Sequence, residues 1–189
     1  MSKGSDLIEQ LEIPGYGADE VAMMEITLIA AQPEFIGEWG TNRGSSARIF
    51  YELCLIHGID PLIVTVDLPD ELAALDRDHA GIFSGGMLSK TNVCQMRGDG
   101  VTTALLMWHY EHRPERSVFF LDGDHLKESV FREIVLVNRM APKATMLLHD
   151  TTQGPGQAVR DYLERFPDQY DLTELHSQAG MMRLMARNG

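Results

Sequence analysis

Glu38-Trp39-Gly40-Thr41-Asn42-Arg43-Gly44-Ser45-Ser46 is the stretch on which the reading of this chain turns. Just upstream, Phe35 to Trp39 reads as a short strand. Just downstream, Ser45 to His57 places Ala47, Phe50, Leu53 and Cys54 at helical spacing, with Gly58 past the end. The stretch is therefore a strand-to-helix turn. Its two glycines let main chain approach a ligand closely, and the Ser-rich step into the helix offers free N–H groups to an anion. A tight turn without a ligand needs the same glycines, so the turn by itself leaves both readings open. The dinucleotide fingerprint G-x-G-x-x-G is absent: counted from Gly40, its later glycines fall on Asn42 and Ser45.

Outward from this turn, strand and helix signals alternate. Gly17 to Gln32 reads as a helix with Val21, Met24, Ile26, Leu28 and Ile29 on its apolar face, ended by Pro33. Strands are expected at 61–66, 91–96, 117–121 and 145–148, with helices at 101–112, 126–139 and 156–165. Asp70 to His79 looks helical and Ser84-Gly85-Gly86 looks like a loop. Tyr170 to Leu175 and Met181 to Met185 form a closing strand pair across a turn at 177–180. Such alternation implies a mostly parallel sheet with helices on both faces and a hairpin at one edge. No repeat or linker divides the chain, so one domain over 1–189 is expected, with 1–15 loosely held.

The composition narrows the function. Sixteen Lys and Arg against 28 Asp and Glu give a formal charge of −12, and no basic run is present. That disfavours nucleic acid and anionic membranes as partners; a small-molecule partner fits better. Cys54 and Cys94 stand in no metal-binding or disulfide spacing, and both read as buried small hydrophobes. No apolar stretch is long enough to cross a bilayer, and 1–10 lacks a signal-peptide core. A cytoplasmic location is the expectation.

In an open parallel sheet, ligands bind outside the carboxyl ends of the strands, so the residues that follow each strand matter most. Asp67 follows the second strand, where an acidic residue commonly holds the ribose hydroxyls of an adenosine cofactor. Asp99 follows the third and could face adenine or cap the next helix. Asp122-Gly123-Asp124-His125 follows the fourth, and His149-Asp150-Thr151 the fifth. Pairing of those two strands would bring Asp122 and Asp150 together. Paired carboxylates raise each other's pKa unless a cation lies between them, and such oxygen ligands suit Mg²⁺, Ca²⁺ or Mn²⁺. His125 could act as general base or metal ligand. Asp124 could instead cap the following helix. His149 is a second candidate base, whereas His109 and His112 read as surface or packing residues.

Taken together, Glu38 to Ala47, Val66-Asp67, Phe120 to His125 and Leu148 to Thr151 resemble class I S-adenosylmethionine-dependent methyltransferases. Within that family the resemblance is to the branch of cephalosporin-hydroxylase-like proteins, sugar O-methyltransferases and small bacterial O-methyltransferases. It spans about residue 19 to the C-terminus. It implies an α/β Rossmann-like, doubly wound, mostly parallel sheet with a C-terminal antiparallel strand pair. It implies that Glu38, Gly40, Thr41 and Gly44 form the cofactor turn, with Ser46 near the methionine portion of S-adenosylmethionine. Asp67 would hold the ribose and Asp99 would lie near the adenine. Metal-dependent relatives hold Mg²⁺ or another divalent cation at the positions of Asp122 and Asp150, and a basic residue falls at the position of His125.

Three departures stand out. Trp39 replaces a small aliphatic residue between Glu38 and Gly40. Thr151 stands where metal-dependent relatives often place Asn or Asp. No inserted substrate lid is evident, so the acceptor pocket could draw on the N-terminal helix or a partner subunit. The expected activity is methyl transfer to a small molecule, with oxygen as the favoured acceptor, Asp122 and His125 as catalytic residues, and Asp122, Asp150 and Thr151 at the metal. A non-catalytic cofactor-binding subunit and a nucleotide-dependent oxidoreductase are the alternatives. The apolar N-terminal helix and Met-rich last strand leave room for a homodimer.

Overall fold

The computed structural model describes residues 15–41, 44–68 and 92–187. Five helices, α1 (Ala18–Ala31), α2 (Ser45–His57), α3 (Gly100–Tyr110), α4 (Lys127–Met140) and α5 (Gly154–Arg165), intervene among seven strands. The strands are β1 (Phe35–Trp39), β2 (Leu62–Asp67), β3 (Val93–Arg97), β4 (Ser117–Leu121), β5 (Thr145–His149), β6 (Tyr170–Leu175) and β7 (Met181–Ala186). The expected segments 70–79 and 84–86, and Asn42 and Arg43 of the opening turn, lie outside the described residues.

All seven strands form one sheet in the order β3-β2-β1-β4-β5-β7-β6. Strands β1 to β5 pair in parallel, and β7 runs antiparallel between β5 and β6. This is the doubly wound arrangement with a closing hairpin. The order reverses at β1, whose neighbours are β2 and β4, and such a reversal opens a crevice at the strand ends.

Strand residues alternate between two cores, as the two-residue period of a strand requires. Phe35, Trp39, Phe119, Leu121, Met146 and Leu148 pack under α3, α4 and α5. Ile36, Val118, Phe120 and Leu147 pack under α1 and α2 on the other face. Both faces are covered, so the central strands read as continuous apolar runs. Gly37 makes room here: a Cβ on it would press into the Phe119 ring, 2.9 Å from its Cδ1. That ring packs between Phe35 and Trp39, with centroids at 5.8 and 5.9 Å.

Two expectations are corrected. The buried face of α1 carries Val21, Met23, Met24 and Leu28, whereas Ile26 and Ile29 are exposed. The apolar residues of α1 occur almost all round, so the sequence period alone does not choose the face. Cys94 is only partly buried, because β3 is the edge strand and its outer positions are uncovered. Cys54 is buried as expected. Among the described residues, no helix is long and apolar enough to cross a membrane.

Candidate functional site

The crevice at β1 is divided by the Gly40 turn into two clefts. Gly40 has φ +98° and sits against β4: a Cβ there would collide with the Asp122 carbonyl. Only glycine meets both conditions. The first cleft encloses about 330 Å³ between the start of α1, the α2 N-terminus and the ends of β4 and β5. The second encloses about 350 Å³ between the ends of β1, β2 and β3 and helix α4. Gly40 lines both. A larger cavity of about 480 Å³ lies at the opposite end of the sheet, beside Ser117 and Thr145, which begin β4 and β5.

The turn is held from beneath. Glu38 is fully buried and accepts a hydrogen bond from Ser46 Oγ, which pins α2 to β1. Burial, aided by the nearby Asp122 and Asp67 charges, pushes the Glu38 carboxyl up to about 7 against the Ser46 and Thr65 hydrogen bonds. Thr41 is buried with its hydroxyl 2.6 Å from that of Thr65. Gly44 occupies the N-cap of α2 at φ +71°, and its N–H donates to Thr41 O at 2.6 Å.

The second cleft gathers Asp67 and Asp99. Asp67 accepts from the Leu68 N–H at 2.8 Å. Asp99 caps α3, accepting from the Thr102 N–H at 3.1 Å, and still lines the cleft. Asp124 accepts from the Leu126 N–H at 2.9 Å, three residues ahead of α4; the N-cap position itself is Leu126, so Asp124 is not the capping residue.

The first cleft gathers Asp122, His125, His149 and Asp150. Pairing of β4 with β5 brings the two loop carboxylates together, as their strand positions imply. His125 Nε2 lies 3.1 Å from Asp150 Oδ2, and half of its side chain is exposed to the cleft. Asp150 adopts φ +53°, a left-handed conformation that Asp tolerates better than most residues. Thr151 is buried, and its N–H donates to Gly180 O at 3.2 Å, tying the site loop to the β6–β7 turn.

His149 holds the centre. Its Nδ1 is 3.4 Å from Asp122 Oδ1 and 3.7 Å from Asp150 Oδ2, and its Nε2 is 3.7 Å from Glu20 Oε1. Burial alone would depress its pKa, but the facing carboxylates of Asp122, Glu20 and Asp150 raise it to about 10. The imidazole is therefore charged in the cation-free protein. Burial acts against the Glu20 carboxylate too. His149, Ser177 and the Gly17 N–H overcome it and hold the Glu20 pKa down at about 2.

Tyr16 and Glu20 are site residues that the sequence reading missed. Tyr16 Oη donates to Asp122 Oδ2, and its ring lies against His149 at 4.9 Å between centroids. Tyr16 adjoins a stretch expected to be loose, and Glu20 looks like an ordinary first-turn acid. Neither carries a local signal of a site, because the site partners, Asp122 for Tyr16 and His149 and Ser177 for Glu20, lie more than a hundred residues away. Glu133 on α4 is a third. It interrupts the buried stripe Val130, Ile134 and Val137, and that interruption was legible.

No family model matches the chain, and no curated protein matches it in sequence. Solved structures do match. The O-methyltransferase TomG from Streptomyces achromogenes, in complex with SAM, gives a TM-score of 0.66 at 13% identity over 100% of this chain and 91% of its own. The O-methyltransferase from Bacillus cereus, in complex with SAH, gives 0.63 at 13% identity over 98% and 91%. An apo structure of CmcI gives 0.62 at 20% identity over 89% and 72%.

Proposed function

We propose that this chain, which has the class I methyltransferase fold, transfers a methyl group from S-adenosylmethionine to a hydroxyl of a small molecule. One observation carries the reading: two clefts meet at Gly40, one bearing the ribose-type carboxylate Asp67 and the other a His–Asp constellation. The solved O-methyltransferases of the same fold support it.

The residues present fit the cofactor. Gly40 clears the path between the clefts, and Asp67 stands where a ribose would be held, with Asp99 beside the base. The start of α2 offers the N–H groups of Ser45 and Ser46 to the carboxylate of the methionine portion. When bound, the sulfonium supplies an activated methyl group, so the protein's task is alignment and removal of one proton.

His125 takes that proton. Its imidazole borders the first cleft, and Asp150 fixes its ring through Nε2. Asp122, steadied by Tyr16, orients the acceptor hydroxyl. His149 is unsuited to be the base because three carboxylates keep it charged.

A divalent cation also fits, with one change from the expected ligands. One donor atom each from Asp122, His149 and Asp150 lies within 4.8 Å of the others. Neighbouring ligands around an ion with ~2.1 Å bonds stand roughly 3 Å apart, so small side-chain rotations close this set. An imidazole with two carboxylates suits Mn²⁺ better than Mg²⁺, which prefers oxygen. Such an ion would be held by Asp122, Asp150 and His149, with Thr151 adjoining, and would supply Lewis acidity toward the acceptor oxygen.

The test is methyl transfer from labelled S-adenosylmethionine to panels of phenols, sugars and hydroxy acids. His125→Ala should lower the rate by about 10²- to 10⁴-fold. An unchanged rate removes the base. Cofactor binding with no product from any hydroxyl panel would favour a binding-only protein.

A further inference from the structure

The second cleft holds four carboxylates, and three of them accept a backbone hydrogen bond through one oxygen each. Asp67 accepts from the Leu68 N–H, Asp99 from the Thr102 N–H and Asp124 from the Leu126 N–H. Glu133 differs. It is 8% exposed, it lines the cleft, and its Oε2 has no hydrogen-bond partner among the described residues. A buried carboxyl oxygen without a partner costs on the order of 1–3 kcal/mol, so an oxygen left this way at a cleft wall is suited to a ligand's donor. The indole of Trp39 lies beside the same carboxyl, and its Nε1 likewise has no hydrogen-bond partner among the described residues. Trp39 also shapes the floor of the cleft, where a Cβ on Gly100 would collide with the Trp39 Cβ.

We infer that Glu133 accepts a hydrogen bond from the exocyclic amino group of the cofactor's adenine, and so makes this cleft selective for adenine over hypoxanthine. The inference rests on the proposed cofactor reading and adds a selectivity-determining residue to it. Asp67 and Glu133 line the same cleft on different elements, β2 and α4. A nucleoside held by its ribose at Asp67 can thus extend its base toward Glu133. Hypoxanthine replaces the amino group with a carbonyl oxygen, which would set acceptor against acceptor. Sites that bond a polar group reject analogues lacking it strongly, because the protein group is then left unpaired.

The surroundings of Glu133 add a pH signature. Burial raises its carboxyl to about 7, against the Trp39 contact; Asp124 and Asp99 push it further up and Arg132 pulls it down. Asp67 lines the same cleft. The carboxylate is the accepting form, so selectivity should grow as pH rises through about 7.

The experiment compares binding of S-adenosylhomocysteine and S-inosylhomocysteine by calorimetry, between pH 6 and 8, for wild type, Glu133→Gln and Glu133→Leu. Thermal unfolding without ligand checks that each variant is folded. Wild type should prefer the adenine compound at least ~10-fold, more so at high pH, as expected for a bonded amino group. Both variants should lose most of that preference and its pH dependence. Absence of a preference in wild type, or its persistence in both variants, overturns the role of Glu133 while the cofactor reading stands. Failure of wild type to bind S-adenosylhomocysteine overturns both.

Discussion

Tyr16 Oη donates to Asp122 Oδ2 across 3.0 Å, joining residues 106 positions apart. The bond ties the start of α1 to the end of β4. Tyr16 thereby walls the first cleft. Burial and the Asp122 charge hold the phenol protonated well above its usual range, so it stays a donor.

Tyr16→Phe removes that donor and keeps the ring against His149 and Phe120. A bond to a charged acceptor contributes about 1.5–3 kcal/mol. Urea unfolding should show a loss of that size. A change within error would mean that the tyrosine contributes packing alone.

Gly40→Ala should weaken S-adenosylhomocysteine binding by roughly tenfold or more, because holding alanine at positive φ costs about 1–3 kcal/mol before the clash with Asp122 is counted. Calorimetry on folded protein reads this. Unchanged affinity would show that the turn does not border the ligand.

His149 gives stability a pH dependence. Its folded pKa of about 10 lies above the ordinary 6.5. Its contribution is therefore complete below pH 6.5 and is lost as pH rises through about 10. Glu20 is depressed to about 2, so its contribution is present above pH 4.5 and lost as pH falls through about 2. In chelator-treated protein, wild type should lose stability relative to His149→Asn between pH 6.5 and 10. A constant difference between the two over that range would mean that the carboxylates do not hold the proton on His149.

Mn²⁺ binding, followed by paramagnetic resonance, should weaken at least ~10-fold in Asp150→Asn and His149→Ala. Glu20→Gln should cost about 10- to 100-fold as well, since it orients the imidazole from behind. Affinity should rise with pH, because the imidazole must release its proton to bind. Equal binding by all variants would place the ion elsewhere.

Strand periodicity and the turn residues made the sheet and its closing hairpin legible, because each is written within a few adjacent residues. The pairing of Asp122 with Asp150 was legible too, since parallel neighbours carry their loops to one rim. The position of α1 was not. Its roles at Tyr16 and Glu20 arise from contacts with β4, β5 and the Ser177 turn, which no local pattern encodes. His149 was legible as a candidate base beside Asp150, but its approach to Glu20 was hidden for the same reason. It ends a buried strand, and its meaning depends on Glu20 behind it.

Calorimetric titration with S-adenosylhomocysteine, in wild type and Asp67→Ala, tests the central claim most directly. Binding by wild type that falls roughly tenfold or more in the variant, as loss of a charged hydrogen-bond acceptor predicts, places the nucleoside in the Asp67 cleft. No detectable heat with wild type at several temperatures would contradict the account.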